Sequence, residues 1–161
     1  MSEHPSIATP TLVSLLVCDQ VIDDKLSNKK SAIGLFNTVL VPAVPTRIHR
    51  LTVMATLTEI SGRTPLQLRL MRDDDNSVLM QTKGHVDAPN PLAMVDLVFA
   101  MLGVPIAKKG QYAFELLSEG ELLGRRRFQV VIGRPRAPGQ PPPAGETDPG
   151  FGPAPDPDSE S

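Results

Sequence analysis

Hydrophobic and polar residues alternate in short stretches along most of this 161-residue chain. Between Leu51 and Leu57 every second residue is aliphatic and threonines occupy positions in between, which is typical of a half-buried strand. Turn residues separate the stretches, and none has the period of an amphipathic helix. The chain therefore predicts an all-β fold, an antiparallel β-sandwich of about eight strands. The predicted strands cover residues 11–18, 31–41, 51–57, 66–70, 78–86, 94–101, 111–117 and 122–132.

Composition divides the chain into three parts. Residues 1–10 are polar and predicted to be a disordered N-terminus, and residues 11–133 have the length of one sandwich domain. Residues 134–161 hold nine prolines and four glycines, with Phe151 as their only large apolar side chain, so we predict a disordered, acidic tail. Prolines 135, 138 and 141 have the three-residue spacing of polyproline-helix ligands, although a stiff solvated extension is the commoner role of such a segment.

Charge and aromatic content exclude several partners. The net charge is −2, and the chain has no Trp, one Tyr and five Phe, so it lacks both the positive charge and the stacking surfaces that nucleic-acid binding uses. No apolar run is long enough to span a membrane. Cys18 is the single cysteine, so the fold needs no disulfide and no oxidising compartment. These features predict a cytoplasmic protein with neither nucleic-acid nor membrane partners.

The last two predicted strands form a hairpin around Glu119 and Gly120. Alternation along the second strand places Arg126 on the same face as Phe128, which points into the core. Because an unpaired buried guanidinium is costly, Arg126 must lie near an open end of the sheet or have a partner. The whole basic run 125–127 is interpreted first as a solvated strand face.

Two acidic clusters could supply oxygen ligands to calcium: Asp19, Asp23 and Asp24 in one loop, and residues 73–75 in another. If every strand reverses direction, these loops lie at opposite ends of the sandwich, so each would have to bind alone. Neither has the spacing of the twelve-residue calcium loop, and aspartates commonly bond their own backbone in turns. We therefore expect turn formation, and no metal or other cofactor.

Cys18 could act as a nucleophile if His49 or His85 served as its base. It ends an apolar run, however, where cysteine usually behaves as a small buried hydrophobe. We assign no catalytic residue and retain Cys18, Asp19, Asp23 and Arg126 as weak site candidates. The alternative function is a small hydrolase-like enzyme that uses Cys18 or an Asp-rich loop.

Some stretches are apolar at both odd and even positions. In residues 94–102, Met94, Val98 and Leu102 accompany a second apolar set on the other face, and residues 12–17 behave similarly. Such a strand is either covered within its own fold, the commoner case, or lies against a partner, often a second copy of the chain. This pattern favours a non-catalytic protein-binding or assembly module, with an unknown protein partner or a homodimer.

The sequence also resembles a family of short bacterial proteins of unknown function over roughly residues 11–132. The resemblance rests on the Cys-Asp-x-Val-Ile-x-Asp segment from Cys18, on residues 30–36, and on a Gly-x-Tyr-x-Phe segment from Gly110 with the following Gly120, Leu123 and Gly124. Asn28 stands where the family often has a glycine, and asparagine also accepts a positive φ. The resemblance implies an intracellular bacterial β-domain and brings no catalytic or ligand residue with it.

Overall fold

Nine strands in two sheets make up the computed structural model, which describes residues 8–134 and 137–139. The strands are β1 (Thr11–Asp24), β2 (Lys29–Leu35), β3 (Thr38–Val41), β4 (Thr46–Thr58), β5 (Thr64–Arg72), β6 (Val78–Val86), β7 (Val95–Ile106), β8 (Gly110–Ser118) and β9 (Glu121–Ile132). One sheet has the order β2-β1-β4-β7, and the other has the order β3-β9-β8-β5-β6. The all-β sandwich expected from the alternation is therefore confirmed.

The core lies between the two sheets. Leu51, Val53, Ala55 and Leu57 are fully buried on the inner face of β4, as their alternation predicts. On the opposite sheet the ring of Phe128 stacks at 5.7 Å on both Tyr112 and Phe114, with Phe36 edge-on at 5.9 Å. Most of the few aromatic rings are thus used in the core.

The predicted strand 31–41 is wrong as a single element. It is two strands, because the chain leaves the first sheet after Leu35 and joins the second at Thr38. The crossing is held at both ends: the Phe36 amide donates to the Val17 carbonyl, and the Gln129 amide donates to the Asn37 carbonyl. β3 then pairs parallel to β9, so the sandwich is not antiparallel throughout.

Three predicted loops are partly strand. β4 begins at Thr46 and not at Leu51. β1 continues beyond Cys18 to Asp24, where it pairs with β2 alone. β7 runs to Ile106, and its Pro105 is tolerated because β7 is an edge strand whose outward side needs no ladder donor.

The extra reversal at residues 36–37 also changes where the acidic turns lie. β1 and β9 run in the same direction, with Leu12 against Gly124 and Phe36 against Phe128. β5 ends at Arg72, which pairs with Tyr112 opposite Phe128. The β1–β2 and β5–β6 turns are therefore at the same end of the sandwich, and the expectation of opposite ends is wrong.

Residues 1–7, 135–136 and 140–161 lie outside the described residues. They include most of the predicted N-terminal segment and tail, with two of the three spaced prolines, Pro135 and Pro141.

Candidate functional site

Cys18 is fully buried in the middle of β1. Its thiol lies 3.5 Å from the Gln20 carbonyl oxygen, to which it donates. Burial raises the pKa of the Cys18 thiol, so the protonated form is favoured at neutral pH. His49 and His85, the two candidate bases, have exposed side chains on β4 and β6. This environment is that of a buried, packed thiol and lacks the positive neighbours that activate a nucleophile.

Asp19 lies on β1 directly opposite Gly34 of β2. Gly34 has φ +68°, and its missing Cβ would collide with the Asp19 carboxylate. The Asp19 carbonyl accepts a hydrogen bond from the Thr52 hydroxyl at 3.2 Å. The Asp19 carboxylate therefore packs against the backbone of Gly34 on the edge strand β2, in space that any larger residue would fill.

Asp23 and Asp24 build the β1–β2 turn. The Asp24 carboxylate accepts hydrogen bonds from the Ser27 hydroxyl and, at 2.9 Å, from the Leu26 amide, and these lower its pKa. Lys25 and Lys30 lower the pKa of Asp23. The turn closes with Asn28 at φ 55°, the conformation that glycine would also supply.

The second acidic cluster divides between a turn and a sheet. Asp75 accepts from Arg72 and from the Ser77 amide and hydroxyl, and Arg72 holds the pKa of Asp75 far below its usual range. Asp73 faces arginines on β9 instead. Among residues 8–134, no group of three or more His, Cys, Asp or Glu side chains is arranged to hold a metal ion.

Arg126 lies on the inner face of β9, opposite Phe114, as its register predicts. Its guanidinium donates to the Asn37 side-chain oxygen at 2.7 Å, at the crossing between the sheets. Arg126 was expected to lie near an open end of the sheet or to have a partner, and it has a partner in Asn37. Its Nε is buried without a hydrogen-bond acceptor. Arg126 ties the crossing segment to β9.

The outer surface of the five-stranded sheet carries paired charges, and we call it the ionic face. Glu115, which is only 3% exposed, accepts from Arg69 at 2.6 Å and from Arg125 at 2.6 Å. Arg125 and Arg127 also contact Asp73, at 3.3 and 2.9 Å. Two of the three arginines in the basic run are therefore occupied by carboxylates of their own sheet.

The outer surface of the four-stranded sheet is different, and we call it the aliphatic face. Hydrogen-bond register aligns its side chains in rows across the strands. One row joins Leu16, Met54 and Val98, and the next joins Leu35, Cys18, Thr52 and Ala100. The apolar members of the face are Leu16, Ile22, Ile33, Leu35, Met54, Val98, Ala100 and Leu102.

Much of this apolar surface is open to solvent. Val98 is 41% exposed and Leu102 66%, while Leu35 is 57% exposed and Ile33 48%. Adjoining the face, Met94 is 70% exposed. A strand that is apolar on both sides is either covered within its own fold or docked on a partner, and the described residues do not cover the outer side of β7.

Polar rows bound the aliphatic face at both ends of its strands. At one end the Ser14 hydroxyl donates to Thr56, whose hydroxyl donates to Asp96 at 2.7 Å. At the other end Arg50 donates to the Gln20 side-chain oxygen at 3.3 Å. A shallow depression of about 190 Å³ lies between the apolar rows and this second polar row, lined in part by Arg50, Thr52 and Val98.

The sequence pattern predicts the apolar outer sides of β7 and of β1 around Leu16, and it does not predict the contributions of β2 and β4 to this face. Ile33 and Leu35 had been placed in one long strand, and Arg50 and Asp96 had no evident role. Their position depends on which strands are neighbours, and local alternation does not encode that order.

Space for a ligand between the sheets is small. A cavity of about 40 Å³ lies between Leu68, Met80, Met101 and Phe114, among others, and has room for about one water molecule. In the described residues, no helix is both long and apolar enough to cross a membrane.

Comparison with solved structures shows distant likenesses. The chain aligns over 75% of its length with 30% of the Pseudomonas fluorescens alkylpurine DNA glycosylase AlkC bound to DNA containing an abasic site analog, at 11% identity and a TM-score of 0.46. It aligns over 78% of its length with 99% of an immunoglobulin-like protein from Pseudomonas aeruginosa, at 15% identity and a TM-score of 0.43. With a beta-glucosidase from Listeria innocua, 74% of this chain aligns with 16% of the enzyme, at 12% identity and a TM-score of 0.40. The chain thus spans less than a third of the glycosylase and of the glucosidase.

A search of curated proteins finds no match. A family of unknown function matches residues 13–131, nearly the span over which the resemblance was expected. The chain therefore belongs to this family, DUF6941.

Proposed function

We propose that this domain is a non-catalytic, cytoplasmic protein-binding module that docks another protein chain on its aliphatic face. The observation that supports this is a set of exposed apolar side chains on three of the four strands, β1, β2 and β7, on either side of the buried Cys18 and Thr52 of the middle row. Five of the thirteen exposed large apolar side chains of the described residues belong to this one face: Ile22, Ile33, Leu35, Val98 and Leu102. A contiguous apolar patch with polar rows at its margins is the usual composition of a protein interface.

The charges on the face favour a protein over a lipid surface or a nucleic acid. In the paired rows of the aliphatic face, one cation, Arg50, is balanced by one anion, Asp96. Surfaces that bind anionic lipids or phosphates carry clusters of Lys and Arg, and these bring affinity that depends on salt. The arginines of the ionic face are already paired with Glu115 and Asp73.

The same facts disfavour the enzyme alternative. Cys18 is packed and its pKa is raised, and Asp24 and Asp75 bond turn backbones. A catalytic site needs a nucleophile or base that reaches a substrate, and these side chains are already engaged.

Site-specific photo-crosslinking tests the proposal. A benzophenone side chain is placed at Leu102 on the aliphatic face and, as a matched control, at exposed Gln81 on the outer side of β6. In cells, the Leu102 probe should crosslink to protein and the Gln81 probe should not. Val98→Glu, which places a charge two rows away on the same face without changing the core, should abolish the Leu102 product.

Three results would overturn the proposal: equal products from both probes, a Leu102 product that survives Val98→Glu, or a Leu102 probe that crosslinks only to lipid. Circular dichroism of each variant establishes that the sandwich is intact.

A further inference from the structure

We infer that the chain docked on the aliphatic face is a second copy of this protein, packed face to face about a two-fold axis that runs across the strands. This inference rests on the proposed function and specifies its partner. It is carried by the order of the side-chain rows, in particular by the opposite placement of Asp96 and Arg50.

Four successive rows define the face. The first is Ser14, Thr56 and Asp96. The last consists of two pairs, Ile33 with Gln20 and Arg50 with Leu102, which the hydrogen bond from Arg50 to Gln20 connects. The two rows between them are mainly apolar, with Leu16, Met54 and Val98 in one and Leu35 and Ala100 in the other. Asp96 and Arg50 are the charged members of these rows, and both are exposed. The face is therefore negative at one end, apolar in the middle and positive at the other end.

A two-fold axis across the strands reverses the order of rows in the second copy. Each first row then lies on the partner's last row, while apolar rows lie on apolar rows. Thr56 lies opposite Arg50 of the second copy, and Asp96, one strand away at about 4.8 Å, comes within reach of that guanidinium. Because the contact is isologous, the Asp96–Arg50 pair forms twice.

The other two-fold arrangement has its axis along the strands, and it brings like charges together instead of opposite charges. It superposes first row on first row and last row on last row, so that Arg50 side chains approach each other. Juxtaposed like charges disfavour an interface, whereas complementary charges fix its orientation. Strands that run antiparallel across the interface also meet the aligned geometry of stacked sheets.

The size of the face sets the expected affinity. Four strands about 4.8 Å apart and four rows about 6.8 Å apart cover roughly 500 Å² per copy, below the roughly 800 Å² of a standard interface. We therefore expect a reversible dimer that dissociates in the micromolar range.

Sedimentation velocity of the full chain, from low micromolar to near-millimolar concentration, measures the monomer–dimer equilibrium. Asp96→Arg and Arg50→Asp, each alone, should weaken the dimer about tenfold because each places like charges opposite one another. The double exchange, Asp96→Arg with Arg50→Asp, should restore the wild-type constant to within about threefold. Lys83→Glu, an exposed charge reversal on β6, is the matched control and should leave the equilibrium unchanged.

Failure of this inference differs from failure of the proposed function. A wild-type chain that stays monomeric at the highest concentration overturns the second-copy inference, while Leu102 crosslinks to a different protein would leave the docking function intact. A dimer that is insensitive to both single variants, or that the double exchange does not restore, overturns the two-fold geometry. Crosslinked product at twice the chain mass from the Leu102 probe, lost in Val98→Glu, supports the inference.

Discussion

The outer surfaces of the two sheets differ in how their side chains are satisfied. On the ionic face, the carboxylates of Glu115 and Asp73 are bound by arginines of neighbouring strands. On the aliphatic face, the corresponding rows hold leucine, isoleucine, valine and methionine, whose surface contacts solvent. In the described residues, the charges of the first surface are paired within its own sheet, whereas the second surface exposes apolar side chains.

Because of this difference, we expect the ionic face to affect the stability of the fold and the aliphatic face to affect association. Burying Glu115 is favourable only while both arginines remain, so the ionic face should respond to substitution as part of the fold. Exposed apolar side chains contribute little to the stability of a monomer but can be buried by a partner. Substitutions on the two faces should therefore produce opposite patterns of effect on unfolding and on association.

The largest expected effect is on the ionic face. The double substitution Arg69→Met and Arg125→Met leaves the Glu115 carboxylate buried without a counter-ion. We expect the free energy of unfolding to fall by about 3–5 kcal/mol, as for other buried ion pairs that lose one side. Urea denaturation followed by circular dichroism measures this change.

The control is a triple variant that adds Glu115→Leu to Arg69→Met and Arg125→Met. If the loss comes from the stranded charge, the triple variant should recover most of the stability, because apolar replacements of a whole buried ion pair are often neutral or stabilising. A triple variant as unstable as the double would show that arginine packing, and not charge, supports this face.

An intermediate effect is expected at an edge of the other sheet. Gly34→Ala places a Cβ at φ +68° and against the Asp19 carboxylate. We expect a loss of about 1–2 kcal/mol. Gly84→Ala on β6 is the matched control, since nothing lies within 4 Å of its added Cβ and its φ is ordinary. Equal unfolding midpoints for the two variants would contradict the role assigned to Gly34.

The sequence predicts where the strands lie along the chain better than it predicts which strands are adjacent in the two sheets. Alternation predicts β5, β6, β8 and β9 closely and places Arg126 on the Phe128 face, because a two-residue period depends only on local burial. It predicts β4 only over residues 51–57, although that strand begins at Thr46. It joined β2 to β3 because residues 31–41 are apolar or β-branched throughout most of their length. The break coincides with tertiary hydrogen bonds at Phe36 and Asn37, and apolar alternation does not encode such contacts.

The aliphatic face was recognisable only in part for the same reason. The double-sided apolar character of residues 94–102 predicted a strand that is either covered or docked. Local alternation does not show that β7 is an edge strand, nor that the described residues leave the outer side of its sheet uncovered.

A smaller effect concerns acid stability at the turn beside the ionic face. Arg72 and Ser77 hold the pKa of Asp75 below its unfolded value of about 3.9, so its ionised form stabilises the fold above that pH, and this contribution is lost as the pH falls further. Asp75→Asn should therefore lower Tm at neutral pH, and the gap to wild type should close below about pH 4. Asp87→Asn, an exposed carboxylate before β7, controls for the loss of one charge. A gap that persists unchanged at pH 2 would mean that the turn geometry, and not the charge, was lost.

The smallest expected effect on stability is on the aliphatic face itself. Leu102→Ser removes an apolar side chain that is 66% exposed, so the free energy of unfolding should stay within about 0.5 kcal/mol of wild type. The same substitution removes apolar area from a docking surface and should weaken self-association measured by sedimentation velocity. Leu122→Ser, at a half-exposed leucine on β9 of the other sheet, should leave association unchanged. Loss of stability in Leu102→Ser without a change in association would mean that β7 is buried by its own chain, and the contrast between the two faces would then not reflect docking.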